Sequence, residues 1–162
     1  LRDQPCCLQE THMTGARHPQ SARGRHEISY DLDTYDRALI EVARDTLRRN
    51  YRKGRHTVAA AVRTSMGHIY TGINIDSGSH GPCAEPIAVG AALTHGEREI
   101  EAIVAVCRRG ATYDVLSPCG TCRQLLIDYA PNATVIFRNS ERDAKARARD
   151  LLPGPFRSFK EG

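Results

Sequence analysis

Two short stretches, Gly81-Pro82-Cys83-Ala84-Glu85 and Ser117-Pro118-Cys119-Gly120-Thr121-Cys122-Arg123-Gln124, decide how the rest of the chain is read. Three thiols and a carboxyl at this spacing point to one zinc ion per chain, held by Cys83, Cys119 and Cys122. A structural zinc site closes with four protein ligands. Three thiolates leave the fourth tetrahedral position to water, whose pKa the metal lowers toward neutrality. Glu85 lies two residues beyond Cys83, so on the first turn of a helix it stands beside that position without binding the metal and is suited to shuttle protons. A lone Cys-x-x-Cys also marks a thioredoxin-like redox pair, and a structural zinc ribbon would want a second Cys-x-x-Cys. Cys83 and Glu85 together favour the open, catalytic zinc.

Working outward, residues 76–82 (Asp-Ser-Gly-Ser-His-Gly-Pro) form a loop that delivers the chain to Cys83. Ala84 to His95 then has the Ala, Ile, Val and Leu content of a buried helix, and Pro86 fits because it falls in the first turn, where its missing amide has no helical partner to lose. Cys119 to Tyr129 predicts a second helix beginning at the metal. Upstream, Leu32, Tyr35, Leu39, Val42, Ala43 and Leu47 recur every three or four positions, which predicts an amphipathic helix from Asp31 to about Tyr51, capped by Asp31 or Asp33. Residues 57–63 and 68–74 flank Ser65-Met66-Gly67 as an antiparallel hairpin. Residues 101–106 are almost continuously apolar and predict a central strand ending at Cys107, itself a small buried hydrophobe. Short strands are expected at 113–116 and 133–137 and a closing helix at Glu141–Leu152. Strands alternating with helices predict an α/β fold, with a sheet covered on both faces.

At 162 residues, with 40% hydrophobic and 26% charged content, the chain is one soluble globular domain with no membrane partner, because no apolar run approaches membrane-spanning length. Residues 1–27 show no hydrophobic period and are expected to be a disordered extension, in which Met13 is a candidate natural start, leaving 28–162 as the domain. Cys6 and Cys7, with His12 or His18 nearby, are incidental to the site. The N-terminus lacks a secretory pattern, so a cytoplasmic protein with reduced thiols is expected. Net charge is +4, and the basic run Arg44, Arg48, Arg49, Arg52, Lys53 and Arg55 is read as a solvated helix end, where cations offset the negative end of the helix dipole.

The motif pair repeats the established zinc-deaminase signature, a His or Cys with a nearby Glu followed by Pro-Cys-x-x-Cys. GPCAE followed by LSPCGTCRQ resembles the small cytidine deaminases, and more closely their blasticidin S deaminase branch, over residues 30–162. The resemblance implies a three-layer α/β/α cytidine deaminase-like fold, with a mixed five-stranded sheet between helices, and a homotetramer whose subunits complete each other's pockets. It also implies substrate contacts. Asn74-Ile75-Asp76 matches the ribose-gripping Asn-x-Glu with a carboxylate one methylene shorter, and Ala84 lies against the substrate. His56-Thr57-Val58-Ala59 matches a strand whose start touches substrate, and Phe156 of Leu151-Leu152-Pro153-Gly154-Pro155-Phe156 matches an aromatic that closes over the base. In that family Arg commonly follows the Glu and bonds a zinc thiolate. Pro86 stands here instead, which shifts that task to Arg123. Cys83 as first ligand, rather than His, resembles enzymes of free nucleosides and disfavours polynucleotide substrates.

The chemistry expected is zinc-dependent hydrolytic deamination of a free cytosine nucleoside, cytidine, deoxycytidine or an antibiotic such as blasticidin S, to uracil and ammonia. Its rivals are a zinc-stabilised protein that binds a nucleoside without turning it over and a nucleic-acid-editing deaminase.

Overall fold

The computed structural model describes residues 27–157, so the expected N-terminal extension, apart from Glu27, lies outside the described residues. The elements in chain order are α1 (Thr34–Asn50), β1 (Val58–Thr64), β2 (Ile69–Ile73), α2 (Ala84–Thr94), β3 (Ile100–Arg109), β4 (Thr112–Leu116), α3 (Gly120–Tyr129), β5 (Thr134–Asn139) and β6 (Arg142–Arg147), followed by a 3-10 turn at Ala148–Asp150. The strands form one mixed sheet in the order β2-β1-β3-β5-β6. β3 is central. Its N-terminal half runs parallel to β5, and its C-terminal half pairs antiparallel with β4, so the two share one edge of a single long strand.

The sheet has six strands rather than five because the expected closing helix at Glu141–Leu152 is instead strand β6 and a 3-10 turn. Ala, Lys and Arg have high helix propensity, but burial here has period two: Ala144 and Ala146 are buried while their neighbours are not. β6 pairs antiparallel with β5 through a tight turn in which Ser140 takes φ +54°. β3 also runs past Cys107, which is half-buried within the strand rather than at its end.

Helices cover both faces, as expected. On one face Leu39, Ala43 and Leu47 of α1 pack on Ala59, Ala61, Val104, Val106 and Ile136. On the other, Ala84, Ala88 and Val89 of α2 and Leu126 of α3 pack on Ala60, Val62, Ile103 and Val135. Alternate residues of β1 thus serve opposite layers, the two-residue period of a strand buried on both sides. Asp33 caps α1 in a reciprocal box with Asp36, whereas Tyr35, expected on the buried stripe, is 71% exposed. α2 lies so close to β2 that a Cβ on Gly72 would sit 2.5 Å from the Ala88 nitrogen. Among the described residues no helix is long and apolar enough to cross a membrane.

Candidate active site

Two helix starts meet at the end of the sheet where β2 and β4 finish. Cys83 is the N-cap of α2 and Cys119 the N-cap of α3, and neither side chain caps its own helix, so both thiols are free for other partners. The loop before α2 is closed by the Ile75 amide, which donates to the Pro82 carbonyl at 3.1 Å. Gly81 is required there, since a Cβ would lie 2.2 Å from the Ile75 oxygen.

Cys83 Sγ is 3.8 Å from Cys119 Sγ, Cys119 Sγ is 3.5 Å from Cys122 Sγ, and the three sulfurs all lie within 4.8 Å of one another. Tetrahedral zinc with ~2.3 Å bonds sets its sulfurs roughly 3.8 Å apart, so the donor set fits that ion in chemistry and in spacing. All three are free thiols, Cys122 buried, Cys83 half-buried and Cys119 exposed. Burial pushes the Cys122 thiol up, reinforced by the Glu85 charge and the neighbouring sulfurs. Burial likewise raises Cys83. At Cys119 burial is outweighed by hydrogen bonds from the amides and thiols around it, above all the Cys122 amide, and the pKa falls. Free amides at the start of α3 thus favour the thiolate at Cys119.

Glu85 is 5% exposed, and burial raises its pKa, partly offset by its own backbone amide and the Cys122 thiol. Among the described residues no cation pairs with it. It lines a cavity of about 280 Å³ together with Val58, Asn74, Ile75, Asp76, Gly81, Pro82, Cys83, Ala84, Leu116, Ser117 and Cys119. A larger depression of about 640 Å³ beside β6, lined by Glu27, Ser29, Thr134, Lys145, Arg147 and Arg149 among others, contains none of the thiols. The smaller cavity is the one that brings Glu85 together with Cys83 and Cys119.

Of the residues expected to touch substrate, Asn74, Asp76 and Ala84 line this cavity, and Thr57 and Phe156 do not. Asn74 Oδ1 accepts from the amides of Thr57 (2.8 Å) and Val58 (2.9 Å), and Nδ2 donates to the Arg55 carbonyl (3.1 Å). One Asn74 N–H remains for a ligand. His56 Nδ1 lies 2.9 Å from the Asn74 carbonyl and donates to it, since that oxygen can only accept. Phe156 is 73% exposed, its backbone held by Gln124 through Phe156 N–H to Oε1 (2.8 Å) and Nε2 to the Phe156 carbonyl (2.9 Å). Arg123, expected at a thiolate, donates instead to the carbonyls of Pro118 and Leu151, both at 3.0 Å. The guanidinium fork satisfies these two part-buried carbonyls and ties the C-terminal tail to the Cys119 loop. Val58, Leu116 and Ser117 were missed as cavity walls. Ser117 stands inside the decisive motif, but only the strand ends show which way the others face.

The sequence profile of the cytidine and deoxycytidylate deaminase zinc-binding region matches residues 33–138. The chain is 33% identical over 132 residues to the blasticidin-S deaminase of Bacillus cereus, covering 77% of this chain and 94% of that protein. It is 34% identical over 106 residues to the cytidine deaminase of Halalkalibacterium halodurans, covering 63% of this chain and 78% of the other. The crystal structure of cytidine deaminase from Burkholderia pseudomallei superposes with a TM-score of 0.63 at 32% identity, over 74% of this chain and 98% of that one. With thiol trio, buried carboxyl, layered fold and sequence all in agreement, the chain belongs to the cytidine and deoxycytidylate deaminase family of hydrolytic enzymes.

Proposed function

We propose that this protein hydrolyses the amino group from the cytosine ring of a free nucleoside, cytidine, deoxycytidine or a cytosine nucleoside antibiotic such as blasticidin S. The observation that carries this reading is the meeting of three thiols, two of which, Cys83 and Cys119, share the wall of a cavity of about 280 Å³ with the buried carboxyl of Glu85. Cys83, Cys119 and Cys122 would hold zinc, which supplies a Lewis acid that makes water a nucleophile near neutral pH. The protein's own part in the reaction is proton traffic. Glu85, with its pKa held up by burial, accepts the proton of the attacking water and delivers it to ring N3. It then passes the second proton to the departing amine. The water oxygen ends as the C4 carbonyl, the C4–N bond breaks, and ammonia leaves. Asn74 offers its remaining N–H and Asp76 its carboxylate to the sugar. Leu116 and Val58 give the ring apolar walls.

One sulfur of the trio, Cys119, and the aromatic Phe156 are both exposed on the single chain, which supports a homotetramer in which neighbours cover them. Light scattering on purified protein tests that assembly. For the reaction, purified protein is incubated separately with cytidine, deoxycytidine and blasticidin S while absorbance at the cytosine band is followed. The expected outcome is loss of that band with stoichiometric ammonia for at least one of the three. The ranking of rates names the substrate. Tight nucleoside binding with no ammonia from any of them would establish a binder instead.

A further inference from the structure

We propose that the end of the molecule formed by the α1 C-terminus, the turn that follows it and the β3–β4 hairpin tip is a docking surface for single-stranded nucleic acid, held through its phosphates. In sequence the cations of α1 look like an ordinary solvated helix end. The fold adds Arg108 and Arg109 to them, because Val58, which opens β1 just past the turn, pairs with Cys107. The surface then carries Arg44, Arg48, Arg49, Arg52, Lys53, Arg55, Arg108 and Arg109 against Glu41, Asp45, Asp76 and Asp114, a local charge equal to the +4 of the whole chain. The remainder of the protein is therefore neutral on balance. Arg44 and Arg48 pair with Glu41 and Asp45. Arg49, Arg52, Lys53 and Arg109 are exposed and make no ion pair among the described residues. Arg49, Arg52 and Lys53 at the helix end and its turn, with Arg109 at the hairpin tip, are uncompensated cations of the kind that attract a polyanion.

Two aromatic rings favour a single strand over a duplex or an acidic protein. The Arg108 guanidinium lies 4.6 Å from the centre of the Tyr51 ring and that of Arg48 5.5 Å from the Tyr113 ring. Each ring holds a flat cation in place over its face, and Arg44 fixes Tyr113 further by donating to its carbonyl at 2.8 Å. Both arginines are exposed, and a guanidinium plane so held is a stacking platform for an unpaired base. Bases in a duplex are stacked on one another and cannot reach it. None of the four unpaired cations lines the catalytic cavity, so the proposal stands apart from the deaminase reading.

The test is fluorescence anisotropy of the full chain with labelled oligouridine about 15 nucleotides long, which contains no cytosine for the cavity to engage. Contact between four cations and phosphates predicts a slope of about −3 in log affinity against log salt, or about 50-fold weaker binding at 200 mM than at 50 mM salt. The combined variant Arg49→Gln, Arg52→Gln, Lys53→Gln, Arg109→Gln, checked for folding by circular dichroism, should bind at least about tenfold more weakly with a flattened slope. The control pair Arg98→Gln, Arg142→Gln, which removes two exposed cations elsewhere, should bind within about twofold of the parent. A duplex of equal length should bind more weakly than the single strand. No binding at low salt, a parental slope shallower than about −1, equal loss in the control pair, or preference for the duplex would each overturn the proposal.

Discussion

Glu85 is buried with no cationic partner among the described residues, a costly position for a carboxyl unless its chemistry requires it. Glu85→Gln keeps the shape and removes the titrating group. Turnover of cytosine nucleoside should fall by about 10²- to 10⁴-fold, while zinc content by elemental analysis stays that of the parent. Loss of metal along with activity would mean that Glu85 helps build the site rather than operate it. Asn74 has a different task, because two backbone amides and a carbonyl depend on its side chain. Asn74→Ala leaves those groups unsatisfied, so the midpoint of denaturation should drop by about 1–3 kcal/mol in stability, and KM should rise more than kcat falls. Glu85 was legible because metal chemistry fixes its type and its short spacing from Cys83 fixes its register, whereas Asn74 was named only through the family resemblance. Arg123 and Phe156 were less so. Which carbonyl a guanidinium reaches, and which surface an exposed ring faces, are decided by elements distant in sequence.

Among the elements, β6 was the one misread, and the reason lies in its composition. Arg142-Asp143-Ala144-Lys145-Ala146-Arg147 suits a helix by propensity, and the alternation that makes it a strand rests on two alanines, whose small side chains give a weak hydrophobic signal. Packing on β5 overrides propensity, and an ion pair fastens the result to α1: Lys145 Nζ lies 2.6 Å from Asp36 Oδ2 and 3.3 Å from Asp33 Oδ2. Asp36 is 2% exposed, so Lys145→Met should cost about 3 kcal/mol by leaving a buried carboxylate unpaired, and adding Asp36→Leu should recover most of that loss. Urea denaturation of the single and double variants measures both. A helix at this position would make the two changes independent. The cap also sets an acid limit. The Asp36 amide, with help from Lys145, lowers the Asp33 pKa below its ordinary 3.8. A depressed carboxyl stabilises the fold above its unfolded pKa and loses that contribution as pH falls through the folded value. Asp33→Ala should therefore cost about 1 kcal/mol near pH 7 and progressively less below about pH 4, as thermal melts at both pH values would show.

For the molecule as a whole, the order of strands and helices fixed the three layers in advance, since a sheet with apolar residues on both sides of β1 and β3 must be covered twice. What sequence could not supply was the path by which residues 83 and 119 meet. That path runs through the shared edge of β3, where β4 ends beside the start of α3 and opposite the closed loop before α2. The junction is thinly built from side chains: α2 brings small residues such as Ala84, Ala88 and Ala92 to the core layer it shares with Leu126 of α3, and one of the three thiols is open to solvent. Zinc held there would act as a clasp between the two helix starts, because a ligand bound only by the folded state stabilises it by mass action. With free zinc about 100-fold above its dissociation constant the gain is about 2.7 kcal/mol, which for a domain of this size raises the melting midpoint by roughly 5–10 °C. Adding a strong chelator should lower the midpoint by that amount and abolish turnover together, with zinc restoring both. A variant carrying Cys83→Ser, Cys119→Ser and Cys122→Ser should melt at the chelated value whether or not chelator is present. If chelation removed the metal and left the melting curve of the parent unmoved, the two helix starts would be held by packing alone, and the thiols would serve the reaction without serving the fold.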